Sequence, residues 1–342
     1  MVAITEYEET IANKIDSAYA LKVESTESPR PHMGISLIGH PCDRWMWLSF
    51  RWAVREKFSG RMYRLFRRGH NEEASLVELL ELVGVNFSER QTHVDFGSHV
   101  SGSADGMAEG GVPGAEKTRH VVEFKTHSLK SFNDLSSKGV QASKPQHYAQ
   151  MQGYMHGVSA HRALYVAICK DDDRLYTERV RYDREFAEKA IARAQRIALV
   201  DRMPEPLSAD PSWYQCKFCP AHKLCHEQEP TKHVNCRTCA HSTAEKNSTW
   251  TCTRHDAKDI PVDFQHEGCD DHVIHPDMVP WKSKPSERDW TLVYLIEGKP
   301  VENGGTGENV FTSREILANA RGCTDETVKE IRNLWAGAKV VK

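Results

Sequence analysis

Gly102-Ser103-Ala104-Asp105-Gly106 is followed, after an interval holding Gly110, Gly111, Pro113 and Gly114, by Val121-Val122-Glu123-Phe124-Lys125-Thr126. The second stretch reads as a strand. Successive side chains of a strand point to opposite faces, so Glu123 and Lys125 leave the sheet together while Val122 and Phe124 turn to the packed side. The Gly-Ser segment around Asp105 reads as a turn entering an earlier strand, and 110–114 as the loop returning into the Glu123 strand. A hairpin with one acid on each arm results. Two carboxylates held together bind a hard divalent cation through oxygen, and a lysine beside them orients water or neutralises charge on a phosphate. That combination is what phosphodiester hydrolysis requires. A Glu-x-Lys alone is a common strand pattern, and the surrounding hairpin gives it weight.

A chain of 342 residues holds a full catalytic domain and one or two small modules. No apolar run approaches membrane-spanning length, and the acidic start (Glu6, Glu8, Glu9) is unlike a signal peptide, so a cytoplasmic location and no membrane partner are expected. In a reducing compartment, 10 cysteines at short spacings point to metal rather than disulfides.

The net charge of −3 does not by itself suggest nucleic acid, but its distribution does. Between Arg44 and Arg68 stand Arg51, Arg55, Lys57, Arg61, Arg64 and Arg67, with Glu56 the single acid, and Trp45, Trp47, Trp52, Phe58 and Tyr63 are interleaved. Phosphates favour such a cationic track and aromatic faces stack on unpaired bases. The competing reading is an amphipathic helix with an aromatic core stripe. The tryptophans are assigned to the core and the arginines, Arg64 and Arg67 above all, to DNA.

A helix is expected from Phe66 to Val83, closed by Gly84, with His70, Glu73 and Val77 on one face. Further on, Pro145 suits the first turn of another helix, along which Gln146, Gln150 and Tyr154 repeat every four residues. A hairpin (Ala163–Ile168, a turn at Asp171-Asp172-Asp173, Leu175–Tyr182) and a helix from about Asp183 to Asp201 follow.

Asp105 with Glu123-Phe124-Lys125 resembles the active-site signature of the PD-(D/E)XK nucleases. Arg68-Gly69-His70-Asn71-Glu72-Glu73 is similar to the first motif of the RecB-type members, and Gln150-x-x-x-Tyr154 to their glutamine–tyrosine motif. The resemblance implies an α/β restriction-endonuclease-like core, a mixed sheet flanked by helices. It implies that Asp105, Glu123 and His70, with the Phe124 carbonyl, hold Mg2+ or Mn2+, with Glu73 behind His70. Lys125 then positions the nucleophilic water, and Gln150 and Tyr154 hold the substrate strand.

The cysteines fall into two sets. Cys216-Lys217-Phe218-Cys219 and Cys225 offer three thiolates, and Cys42, far upstream, is the candidate fourth. That order resembles the iron–sulfur RecB-type nucleases, which include AddB-type and CRISPR-adaptation nucleases, and implies a structural 4Fe–4S cluster stapling the domain ends. Zinc completed by His222 or His226 is the alternative. Cys236-Arg237-Thr238-Cys239, Cys252 and Cys269 suffice for a tetrahedral Zn2+ site in a segment with little core of its own, with His241, His255 and His272 as substitutes. Cys169 and Cys323 read as inert thiols.

The tail reads as a strand pair (Thr291–Ile296; Pro300-Val301-Glu302) turning on Gly298, then helices over Ser313–Ala320 and Asp325–Ala336, a weakly winged-helix-like pattern. Pro204–Pro211 and Pro276–Ser286 are the linker candidates. The expected organisation is a nuclease domain over 1–230, a zinc-binding module over 231–282 and a small α+β unit over 287–342. The expected activity is a metal-dependent DNA exonuclease acting on single-stranded or duplex ends in phage-type recombination or repair, with a recombination or single-strand-binding protein as partner. A structure- or site-specific endonuclease, and a non-catalytic nucleic-acid binder with two structural metal sites, are the alternatives.

Overall fold

The computed structural model describes residues 10–305, 307–335 and 338–341. Glu6, Glu8 and Glu9, and Ala336 at the end of the last expected helix, lie outside the described residues.

The alternation around Glu123 becomes strand β4 (His120–His127) in a six-stranded mixed sheet. Its partners are β1 (Met33–Gly34), β2 (Asn86–Asp95), β3 (Val100–Gly110), β5 (Arg162–Cys169) and β6 (Leu175–Arg181). β3 runs antiparallel to β4 and to β2, β4 parallel to β5, and β5 antiparallel to β6. The parallel step needs a crossover, which α4 (Leu129–Ser143) and α5 (Pro145–Gly157) supply. The segment around Asp105 is not a turn but lies inside β3, because β2 pairs along nearly its whole length, from Asp95↔Ser101 to Asn86↔Gly110.

A strand has two edges, and β2 fills one of them. The other is shared: β1 pairs parallel at Val100 and Ser101, while β4 pairs at Gly106, Met107 and Ala108. Between these two ladders β3 is left open over 102–105. The sheet therefore splits at Asp105.

Val122 and Phe124 pack with Leu164 and Val166 against Leu76 and Val77 of helix α3 (Gly60–Leu82), as the alternation requires. Gly84, at φ +90°, ends α3 with its N–H on the Glu81 carbonyl, a conformation costly for residues with a Cβ. Helix α1 (Ile11–Thr26) lies along α3. The opposite sheet face is covered by α2 (Asp43–Phe50), α5 and α6 (Arg184–Leu199, capped by Asp183) around Met46, Trp47, Met151 and Ile197.

The tryptophan assignment holds: Trp47 and Trp52 are 0% and 2% exposed. The arginine assignment fails at Arg51. Its guanidinium is fully buried between Trp47 and Trp250, donating to the Val200 and Arg237 carbonyls and pairing with Asp201 at 3.4 Å. Arg64 is ion-paired to Asp16, and Arg67 stacks over Tyr19 at 5.6 Å, so both tie α3 to α1.

The cysteine-rich part follows short helices α7 (Tyr214–Lys217) and α8 (His222–His226) and carries the hairpin of β7 (Ser242–Ala244) and β8 (Trp250–Cys252), then α9 (Val262–Glu267). It is riveted to the sheet region by Arg237, 0% exposed, which donates to the Phe50 and Pro31 carbonyls and to Gln265 and stacks 3.7 Å over Trp52. Trp250 belongs to the main core.

The tail forms a four-stranded sheet of β9 (Lys282–Pro285), β10 (Leu292–Ile296), β11 (Lys299–Asn303) and β12 (Val310–Phe311), with α10 (Ser313–Ala318) and α11 (Glu326–Leu334, capped by Asp325). The turn at Gly298 is present, at φ +80°. The segment Pro276–Ser286 is not a linker, since β9 within it pairs with β10.

Candidate active site

The split in the sheet opens into a cleft of about 590 Å3 lined by His70 and Glu73 of α3, Asp105 of β3, Lys125 of β4, and Gln150 and Tyr154 of α5. Residues separated by most of the domain in sequence thus meet where β4 diverges from β3. Arg64 and Arg67 are not among the lining residues.

Where the β3–β4 ladder gives out, the Asp105 carboxylate takes over: its Oδ2 accepts the Phe124 N–H at 2.9 Å. This ties the Asp105 arm to the Glu123 arm without a backbone pair. Glu123, one residue earlier, is 0% exposed. Lys125 is ion-paired with Glu123 through Oε1, and its Nζ also donates to the Phe124 carbonyl at 3.1 Å. Glu123 Oε2 is buried with no hydrogen-bond partner among the described residues.

The electrostatics follow from that burial. Desolvation pushes the Glu123 carboxyl up to about 7, with Lys125 opposing and Asp105 and Glu73 adding to the rise. The Lys125 ammonium is held above the ordinary range because the attraction of Glu123, Asp105 and Glu73 outweighs its own desolvation. Glu73, which also lines the cleft, is raised by burial and then by Asp105, with His70 and Lys125 opposing.

Gln150 and Tyr154 form the opposite wall, 8% and 3% exposed, with the Tyr154 hydroxyl bonded to Gln150. Gly102 makes room for them, since a Cβ there would stand 3.2 Å from that hydroxyl and 2.9 Å from Ile35. Arg30, His32, His93 and His147 also line the cleft and escaped the sequence reading. His32 stands just before the two-residue β1, too short to leave a periodic signal, and His93 lies on β2, for which no strand was anticipated. His147 sat in plain view beside Gln146, but nothing in a helical repeat distinguishes it.

Cys42, Cys216, Cys219 and Cys225 line one cavity of about 210 Å3, which unites the distant cysteine with the late three. Burial and the neighbouring thiols push Cys219 up to about 11. Burial, with Cys269 and Cys252 adding to it, pushes Cys236 and Cys239 each up to about 12. His255 contacts Cys269 at 3.7 Å, whereas His272 is buried on Thr238 and Ser313 instead. Among the described residues, no three His, Cys, Asp or Glu side chains close on a metal-sized point as they stand.

The donor set of the cleft nevertheless suits a hard cation. Asp105 lines the cleft, the Glu123 carboxylate buried beneath Lys125 has one oxygen without a partner among the described residues, and the Lys125 ammonium rests on that carboxylate and on the Phe124 carbonyl, where positive charge is wanted.

No helix among the described residues is long and apolar enough to cross a membrane. No family model matches the sequence, and no curated protein matches it. Among solved structures, the chain is similar to SSO0001, at 16% identity and a TM-score of 0.39 over 65% of this chain and 98% of that one. It is also similar to an alkaline exonuclease (LHK-Exo) from Laribacter hongkongensis, at 14% identity and a TM-score of 0.33 over 49% and 87% of the two chains. The complex of LHK-Exo with dAMP gives 13% identity and a TM-score of 0.35 over 52% and 88%. Likeness of this degree leaves the function to the site itself.

Proposed function

We propose that the protein is a metal-dependent nuclease that hydrolyses phosphodiester bonds at DNA ends. The observation that carries this reading is the split sheet, where Asp105 and Lys125 line one polar cleft and Glu123 lies buried against Lys125 without a full set of partners. A structural ion pair has no need of a third acid: Glu73 and Asp105 raise the electrostatic cost of a charged Glu123, and a divalent cation would relieve it.

Asp105, Glu123 and the Phe124 carbonyl would hold Mg2+ or Mn2+, with His70 at the rim. When bound, such an ion supplies positive charge to the phosphate and acidity to water. The protein's own residues do the rest. Lys125, freed from Glu123, donates to the attacking water and to charge developing on the phosphate. Gln150 and Tyr154 offer polar groups to the substrate strand from the facing wall. The cleft between α3 and α5 is read as the seat of a strand end.

The two cysteine quartets are read as a 4Fe–4S cluster (Cys42, Cys216, Cys219, Cys225) and a Zn2+ site (Cys236, Cys239, Cys252, Cys269), both structural. A role in recombination or repair, beside a recombination or single-strand-binding protein, is the setting in which such an activity would serve.

The test is cleavage of end-labelled linear and closed circular single-stranded DNA with Mn2+. Linear DNA should shorten progressively and the circle survive, and Lys125→Ala should abolish cleavage while leaving folding and DNA binding intact. A fully active Lys125→Ala protein would remove the catalytic assignment. A circle cut as fast as linear DNA would replace the exonuclease by an endonuclease.

A further inference from the structure

The row formed by Glu123 and Lys125 continues along the same face of β4 to His127, and opposite Glu123 on β5 stands Tyr165. The Tyr165 hydroxyl is hydrogen-bonded to His127 Nε2 at 2.8 Å and to His147 Nδ1 at 2.9 Å, and His127 Nδ1 is hydrogen-bonded to the Ser131 hydroxyl at 3.1 Å. The three rings lie nearly parallel, at interplanar angles between 26° and 30°. Tyr165 is 0% and His127 7% exposed, so this chain of polar groups runs through packed interior, where each proton has a definite place.

Both imidazoles are neutral. Burial, then Lys125, His127 and Lys144, push His147 down to about 3; burial, then Lys144, Lys125 and Lys170, push His127 down to about 4. A neutral imidazole carries one N–H, and a phenol has one proton to donate. Of the two ring nitrogens facing Tyr165, one therefore carries hydrogen and the other does not, which couples the tautomers of His127 and His147. His147 uses Nδ1 inward, on Tyr165, and lines the cleft with Lys125 and Asp105; its Nε2 has no hydrogen-bond partner among the described residues. Lys125, which lines the same cleft and acts electrostatically on this imidazole, favours a lone pair on that edge over an N–H.

We propose that His147 is a catalytic residue in the hydrolysis proposed above, on which this inference rests: its bare Nε2 accepts a hydrogen bond from the attacking water while the Lys125 ammonium donates to the same oxygen. Tyr165, His127 and Ser131 are positioning residues that lock the required tautomer, the N–H on His147 Nδ1 donating to Tyr165, Tyr165 to His127 Nε2, and His127 Nδ1–H to Ser131. A donor on one side and an acceptor on the other fix the water's lone pair toward phosphorus. No proton changes hands at His147.

The experiment is long-range 1H–15N correlation spectroscopy of the full chain labelled at histidine, without added metal, with resonances assigned through His147→Gln and His127→Gln. The wild type should show His147 as the Nδ1–H tautomer alone, and Tyr165→Phe, which keeps the ring and removes the hydroxyl that accepts from Nδ1–H, should give a mixture with Nε2–H. Steady-state cleavage with Mn2+ supplies the second arm. Tyr165→Phe and His147→Leu should each lose about tenfold in kcat with KM unchanged, the worth of one ordinary hydrogen bond. His147→Gln, which keeps an acceptor, should recover most of that loss. An Nε2–H tautomer in the wild type, a tautomer indifferent to Tyr165→Phe, or an unimpaired His147→Leu protein overturns the proposal even if the wild type is a nuclease. A wild type that binds DNA and cleaves nothing removes the hydrolytic role together with the reading beneath it, whatever the spectra show.

Discussion

Replacing Glu123 by Gln should make the metal-free protein more stable above neutral pH while destroying its response to metal. Glu123 is 0% exposed, and its carboxyl is pushed from 4.5 up to about 7. A raised carboxyl pKa means the folded state binds the proton more tightly than the unfolded chain. Stability is therefore full below about 4.5 and falls as pH rises to about 7, where the carboxylate is charged in both states. The whole shift, in which the opposing attraction of Lys125 is already counted, corresponds to about 3 kcal/mol. For a chain of this length that is about 4 °C in Tm. Thermal unfolding in EDTA should thus show wild type and Glu123→Gln together at pH 5 and the variant higher at pH 8. With Mn2+ at pH 8 the wild type should rise and the variant stay where it was. A variant less stable than the wild type at pH 8, or one that still gains from Mn2+, would refute the view of Glu123 as a buried charge held in readiness for a cation.

Two further outcomes follow from the cysteine-rich part. Arg237→Leu strands the Phe50 and Pro31 carbonyls and Gln265 and removes the stack on Trp52, so it should cost about 3 kcal/mol, read as a lowered urea midpoint; an unchanged midpoint contradicts the rivet. Anaerobically purified protein should be brown and contain iron and sulfide, and Cys42→Ser should lose both; zinc alone in the wild type would assign both quartets to zinc.

The strand face that carries Glu123 and Lys125 was legible in local sequence because it depends on short-range rules. The period of a strand alone placed Glu123 with Lys125 and turned Val122 and Phe124 to the core, and Gly84 and Pro145 marked helix ends through backbone constraints that act over a few residues. The arginines between 44 and 68 were not legible. A guanidinium on a phosphate and a guanidinium sealed between Trp47 and Trp250 look alike in sequence, and only long-range packing put Arg51 inside and tied Arg64 and Arg67 to α1.

The sequence by itself thus determined which residues could do chemistry: an acid on β3, an acid and a lysine on one face of β4, and cysteines in two quartets. The tertiary structure decided which of them meet. β1 and β4 share one edge of β3, so the sheet must open at Asp105, and the gap is what admits α5 with Gln150, Tyr154 and His147 to the same cleft. In that competition two segments distant in sequence, Met33–Gly34 and His120–His127, each pair with the same edge of Val100–Gly110, and no local pattern records it.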